Sequence, residues 1–160
     1  MDYKIDIFPE THLIGLRREM SFSDDRTFNL WRSLMPRREE IKNQIQSELF
    51  SVQLYPQGFF EHFDAGRKFE KWAAVATSAF DNIPNGMETL AIPGGLYAVF
   101  RYKAAVMTAP EAFRYIFSKW LPGSGYQLDC RPHFEILGEK YKRGSADSEE
   151  DIFIPIIIPS

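Results

Sequence analysis

The sequence predicts an α+β fold made by duplication: two strand-helix-strand-strand units share one antiparallel sheet, both main helices lie on one face, and a central cleft separates them. Three observations lead there. Two amphipathic helical segments are each followed by two strand-like segments, so the element order runs twice. Sliding the 160-residue chain on itself by 84 positions puts Phe8-Pro9 on Ile92-Pro93, Leu16-Arg17 on Phe100-Arg101, Trp31 on Tyr115, and Phe50-Ser51-Val52 on Phe134-Glu135-Ile136. The content, 44% hydrophobic and 15% aromatic, is enough for one real core, so residues 1–160 read as a single domain with pseudo-repeats 1–84 and 85–160.

The elements follow in order. Leu13 to Met20 reads as a strand. The first helix starts around Ser23 to Asp25 and carries Phe28, Trp31, Met35, Ile41 and Ile45 on one stripe, with Pro36 kinking or dividing it. Strands are expected over Leu49 to Tyr55 and Phe69 to Phe80. Met87 to Ile92 and Leu96 to Tyr102 resemble a hairpin joined at Pro93-Gly94-Gly95. The second helix has a capping box in Thr108-Ala109-Pro110-Glu111, then Phe113, Ile116, Phe117, Trp120 and Leu121 at helical spacing, and a stop at Pro122-Gly123. Arg131 to Leu137 and Ile152 to Ile158 complete the strands, with Pro132 placed where a strand can begin.

Composition excludes several function classes. A net charge of −3 with scattered Lys and Arg lacks the basic footprint of direct nucleic-acid binding. The lone Cys130 allows no intramolecular disulfide and no CxxC zinc pair, so a reducing cytoplasm is expected. The amino terminus has no basic region followed by an apolar one, and Ile152 to Pro159 is too short to span a bilayer. His12, His62 and His133 are too dispersed to suggest a metal, and Pro93-Gly94-Gly95 opens a strand rather than a phosphate-binding helix, so no cofactor is expected.

One residue stands out against this background. Glu135 sits between Phe134 and Ile136 in a strand, and its counterpart under the repeat is Ser51, so the fold alone does not require a carboxylate there. A carboxylate turned inward must find a partner or stay protonated. The expected cleft between the helices supplies the alternative, a cationic ligand. Trp72, Ala74, Ala76 and Ser78 are expected to floor it as one face of a strand, and Phe28, Trp31, Tyr97, Tyr115 and Trp120 to wall it. Aromatic faces around a carboxylate suit a lipophilic cation.

Pro93-Gly94-Gly95-Leu96-Tyr97-Ala98-Val99-Phe100, Tyr115-Ile116-Phe117 with Trp120-Leu121-Pro122, Arg131-Pro132-His133-Phe134-Glu135 and Ser148-Glu149-Glu150-Asp151-Ile152-Phe153-Ile154-Pro155-Ile156 together resemble the GyrI-like family. This family includes the bacterial effector-binding domains of AraC-type and multidrug-responsive transcription regulators. The resemblance implies the duplicated fold, a central small-molecule cleft and a pocket glutamate that falls on Glu135. Leu137 departs from the tyrosine often found two residues after that glutamate, which implies an altered ligand choice. No helix-turn-helix precedes the first strand, so a direct transcription factor is not expected unless another polypeptide reads the DNA.

The expected function is a stand-alone binding module for small aromatic, cationic molecules, acting in transcriptional regulation or xenobiotic resistance. The alternatives are a hydrolase of small electrophiles with Glu135 as base, and a protein-interaction module whose partner is a separate regulator or DNA gyrase.

Overall fold

The computed structural model describes residues 1–159. Each half is a β-β-α-β-β unit: β1 (Tyr3–Phe8), β2 (Thr11–Met20), α1 (Thr27–Leu34), β3 (Gln44–Leu54) and β4 (Phe69–Thr77), then β5 (Glu88–Ile92), β6 (Gly95–Lys103), α2 (Ala109–Tyr115), a short β7 (Gln127–Leu128), β8 (His133–Leu137) and β9 (Glu149–Ile157). The main sheet runs β1-β6-β9-β8-β3-β4-β2-β5, antiparallel throughout, and β7 adds to β9. The order is symmetric about the β3–β8 pair, as duplication requires.

The helices differ from expectation at their ends. Pro36 cannot donate to a helical hydrogen bond, so α1 stops at Leu34 and tightens into a 3₁₀ segment, Met35–Glu40. Ile41 still packs under α1, but Ile45 belongs to β3 and is exposed. The second helix begins as the capping box demands, with the Thr108 hydroxyl accepting from the Glu111 backbone N–H at 3.3 Å. It passes through a wide turn, Ile116–Trp120, and continues to Ser124, where Gly125 at φ 81° closes it. Pro122 stands at the first positions of that last turn and does not end the helix.

The expected hairpin at Pro93-Gly94-Gly95 does not form. β5 pairs with β2 and β6 pairs with β1, so each half lends its first strand to the other half. The linkers Pro9-Glu10 and Pro93-Gly94 therefore join strands that stand far apart in the sheet order. Two residues of chain reach only about 7 Å, so the sheet must curl until its edges approach. The two linkers then meet: a Cβ on Gly94 would lie 2.9 Å from the Glu10 backbone nitrogen and 3.2 Å from the Phe8 carbonyl.

Curling divides the side chains by strand parity. On the face without helices, Phe8, Tyr97, Phe134 and Phe153 pack ring against ring, with Phe134 and Phe153 stacked at 4.5 Å, beside Phe50, Val52 and Trp72. On the opposite face α1 covers Ile14, Ala73 and Val75, and α2 covers Ala98, Phe100, Ile152 and Ile154. The strands between these two clusters are left open to a cleft.

Gly94→Ala should destabilise the fold by about 1–3 kcal/mol, because the contact is with backbone that can move only by shifting both linkers. Urea denaturation checks this; an unchanged midpoint would contradict the crossed-linker geometry.

Candidate functional site

The floor of the cleft is the helix-facing row of β3 and β8. Their register pairs Leu49 with Leu137, Ser51 with Glu135, and Gln53 with His133, so Glu135 and its repeat counterpart face each other across the pseudo-two-fold axis. β4 adds Lys71 beside Gln53, and β9 adds Glu150, one residue before the Asp151 that pairs with Ile136. Above them the cleft encloses about 2220 Å³. Phe28 and Trp31 of α1 form one wall, and Phe113 of α2 with Phe117 of the wide turn that continues it form the other.

The two long loops close the ends, each by reaching the other half's helix. Residues 55–68 carry Phe60, which stacks on Phe117 at 4.4 Å, and residues 138–148 carry Arg143, whose guanidinium carbon stands 4.1 Å from the Phe28 ring centroid. Phe22 and Phe63 remain exposed at the mouth.

Glu135 is 8% exposed. Its Oε1 accepts a hydrogen bond from Gln53 Nε2 at 3.1 Å and lies 3.9 Å from Lys71 Nζ, while its Oε2 is buried with no hydrogen-bond partner among the described residues. Burial pushes the Glu135 carboxyl upward, against the pull of Lys71 and Gln53. The same burial pushes the Lys71 ammonium downward, opposed by Glu135, Asp25 and Glu150. Glu150, half-buried, is raised to about 8, by desolvation first and then by the neighbouring charge of Glu135. A 3.9 Å gap is an ion pair without a hydrogen bond, so the lysine moderates the charge of Glu135 without satisfying it.

His133 lies among Tyr55, Phe60 and Phe117, with ring centroids 4.9, 5.8 and 6.0 Å away, and burial lowers it to about 3. Tyr55 is raised by burial and by Glu135, so its hydroxyl stays protonated. The floor thus offers a neutral imidazole, a neutral phenol and a charged cluster under aromatic walls. Among the described residues no group of three or more His, Cys, Asp or Glu is arranged to hold a metal, and no helix is long and apolar enough to cross a membrane.

Of Glu135 and the six aromatic residues singled out from sequence, Glu135, Phe28 and Trp31 line the cleft. The other four do not. Trp72 and Tyr97 point to the opposite face, where Trp72 Nε1 donates to Glu70 Oε1 at 2.6 Å and the Tyr97 hydroxyl donates to the Pro132 carbonyl at 3.4 Å. Trp120 is buried under α2, edge-on to Phe100 at 5.0 Å, and Tyr115 packs at the border of that cluster. Parity explains the strand errors: Ser51 pairs with Ala73, so the helix-facing row of β4 is Phe69, Lys71 and Ala73, of which Phe69 and Lys71 line the cleft, while Trp72, Ala74 and Ala76 face the other way and Ser78 lies beyond the strand. On α2 the stripe Ala112, Ile116 and Trp120 takes the sheet, leaving Phe113 and Phe117 to the cleft. Lys71, Gln53, Glu150, Tyr55 and Phe60 also line the cleft and are not singled out by the sequence pattern.

The cluster sets a pH dependence of stability. The folded His133 binds its proton only near 3, against an ordinary 6.5, so its contribution is intact above pH 6.5 and lost as pH falls toward 3. Glu135 and Glu150 act oppositely: the folded state holds protons that the unfolded chain releases, so their contribution is present at low pH and is lost as pH rises through the folded values, about 8 for Glu150. His133→Gln should therefore flatten the acid-side loss, which is at most about 1.4 kcal/mol per pH unit. Urea midpoints measured across that range check it, and an acid-side slope equal to wild type would contradict a neutral buried imidazole.

Comparison with known proteins agrees with this architecture. Among solved structures the chain is similar to SAV2435 bound to tetraphenylphosphonium, with TM-score 0.71 and 14% identity over 98% of this chain and 94% of that one. It is similar to the EcmrR C-terminal domain, with TM-score 0.69 and 16% identity over 99% and 98% of the two chains. It is also similar to a hydrolase encoded by lin2189 from Listeria innocua, with TM-score 0.58 and 12% identity over 97% and 91%. At these identities the likeness is one of fold. The sequence itself matches the family described as GyrI-like small molecule binding domain over residues 1–157, and the chain belongs to that family.

Proposed function

We propose that the cleft captures a small aromatic cation, with Glu135 as its charged anchor and the rings of Phe28, Trp31, Phe113 and Phe117 as its walls. The observation that carries this reading is the state of Glu135: a buried carboxylate with one oxygen unpartnered, facing an open cleft rather than a packed core. Such an oxygen costs free energy in the empty protein, and a cation placed against it recovers that cost. Aromatic faces add cation–π attraction and apolar contact. The likeness to a structure holding tetraphenylphosphonium supports the ligand class.

A second reading has one observation in its favour. Glu150 brings to the floor the second carboxyl that the sequence did not reveal, and its rise to about 8 keeps it largely protonated beside Glu135. An acid held protonated beside an anchored carboxylate is the arrangement that general acid–base hydrolysis uses, and one of the similar structures is of a hydrolase.

Glu135→Gln preserves the shape and the Gln53 contact region while removing the charge. Its affinity for tetraphenylphosphonium, measured by calorimetry, should fall roughly ten- to hundredfold, the range of one charge-assisted contact. Equal affinity would remove Glu135 from the anchoring role. Turnover of an electrophilic ester beyond one equivalent, lost in Glu150→Gln, would favour hydrolysis over capture.

A further inference from the structure

We propose that Lys71 is the resident cation of this cleft, and that a cationic ligand takes over Glu135 by displacing the charge of Lys71, one proton leaving the ammonium for solvent as the ligand binds. The inference rests on the reading of the cleft as a cation site and adds how that site is controlled. Written out, a protonated Lys71 and a free cation become a neutral Lys71 amine, a bound cation and one proton in solution, so charge and atoms balance.

The geometry leaves little alternative for the lysine. Its side chain is 8% exposed, it sits in the middle of β4, and the neighbouring strands pair with it on both sides, at Gln53 and at Arg18. Pairing on both sides fixes where its side chain begins, on the cleft-facing row beside Gln53. Its ammonium meets Glu135 Oε1 at 3.9 Å and makes no hydrogen bond with the described residues. A second cation brought to the same carboxylate therefore faces a fixed like charge at close range in a desolvated floor. Lysine relieves this by losing its proton, a change that burial already favours and that a guanidinium could not make.

The groups around Lys71 come from every element at the floor. Glu135 on β8 and Asp25 ahead of α1 are the acids whose charges hold the ammonium, and Glu150 on β9 adds to them only where it ionises. Tyr55 at the end of β3 and His133 on β8 are neutral, and Tyr141 and Arg143 lie on the 138–148 loop. Glu150 is the rival source of a proton, because it too is protonated in the empty cleft at neutral pH. Lys71 also explains selectivity: a small hydrated cation gains too little from the aromatic walls to displace it, whereas a large aromatic cation gains enough.

The test is calorimetric titration with tetraphenylphosphonium near neutral pH, in buffers of low and high ionisation enthalpy, on wild type, Lys71→Arg and Glu150→Gln. Wild type should release about one proton per ligand, and its affinity should rise by up to about tenfold per pH unit while Lys71 is charged in the empty cleft. Lys71→Arg keeps the charge but cannot give it up, so binding should weaken at least about tenfold and the release should vanish. Glu150→Gln should bind about as well as wild type and release the same proton, which decides the matter even if the arginine variant does not fold. Release that disappears in Glu150→Gln, or tight binding without release in wild type, overturns the role of Lys71. If that happens while Glu135→Gln still weakens binding tenfold or more, the cation site stands without it. No binding at any pH overturns both.

Discussion

The pairing of β3 with β8 sets Ser51 directly opposite Glu135, and the rest of the cleft depends on that register. It joins the two halves at their pseudo-two-fold axis, so both helices stand back from the same row and leave it uncovered. A one-residue slip would send Glu135 into the ring cluster of Phe134, Phe153 and Tyr97 and bring phenylalanines to the cleft floor. That cluster is one thing that fixes the register. The crossed first strands are another, since β1 and β5 tie each half to the far side of the other.

Duplication gives the two halves the same scaffold, and the site lies where they stop matching. Ser51 faces Glu135 across the axis, and Lys71 on one flank is answered by Glu150 on the other. A symmetric floor would place like beside like: two carboxylates or two lysines at close range repel, and two serines offer a cation nothing. The asymmetric set holds one buried pair, Glu135 with Lys71, and one acid that burial keeps largely protonated. Its polar groups are only partly satisfied, which is costly in a packed core and useful where a ligand can complete them.

Much of this was legible in the chain. Phe134 and Ile136 on either side of Glu135, with Ser51 in the repeat position, single out in the sequence a carboxylate that lines the cleft. Phe28 and Trp31 followed from the first helical stripe. Trp72 was misplaced because an aromatic beside a run of alanines looks like a ligand platform, while a lysine in the same strand looks like a solvated face; only the β3–β4 register shows that Lys71 points inward. The exchange of β1 and β5 was hidden for a different reason. A Pro-Gly-Gly turn signal is local, and the strand it delivers is chosen by pairing energies far away in sequence. The loop aromatics Phe59 and Phe60 lie outside any periodic element, so pattern alone does not assign them to the cleft.

The account stands on a cation held over Glu135 at the symmetry axis. A crystal structure of the chain with tetraphenylphosphonium tests it most directly. The account predicts phosphonium density between the α1 and α2 walls, with the Glu135 carboxylate nearest to the positive centre and the Lys71 amine turned away from it. Phosphonium density seated away from Glu135, or in the cleft with the Glu135–Lys71 pair undisturbed, would contradict it.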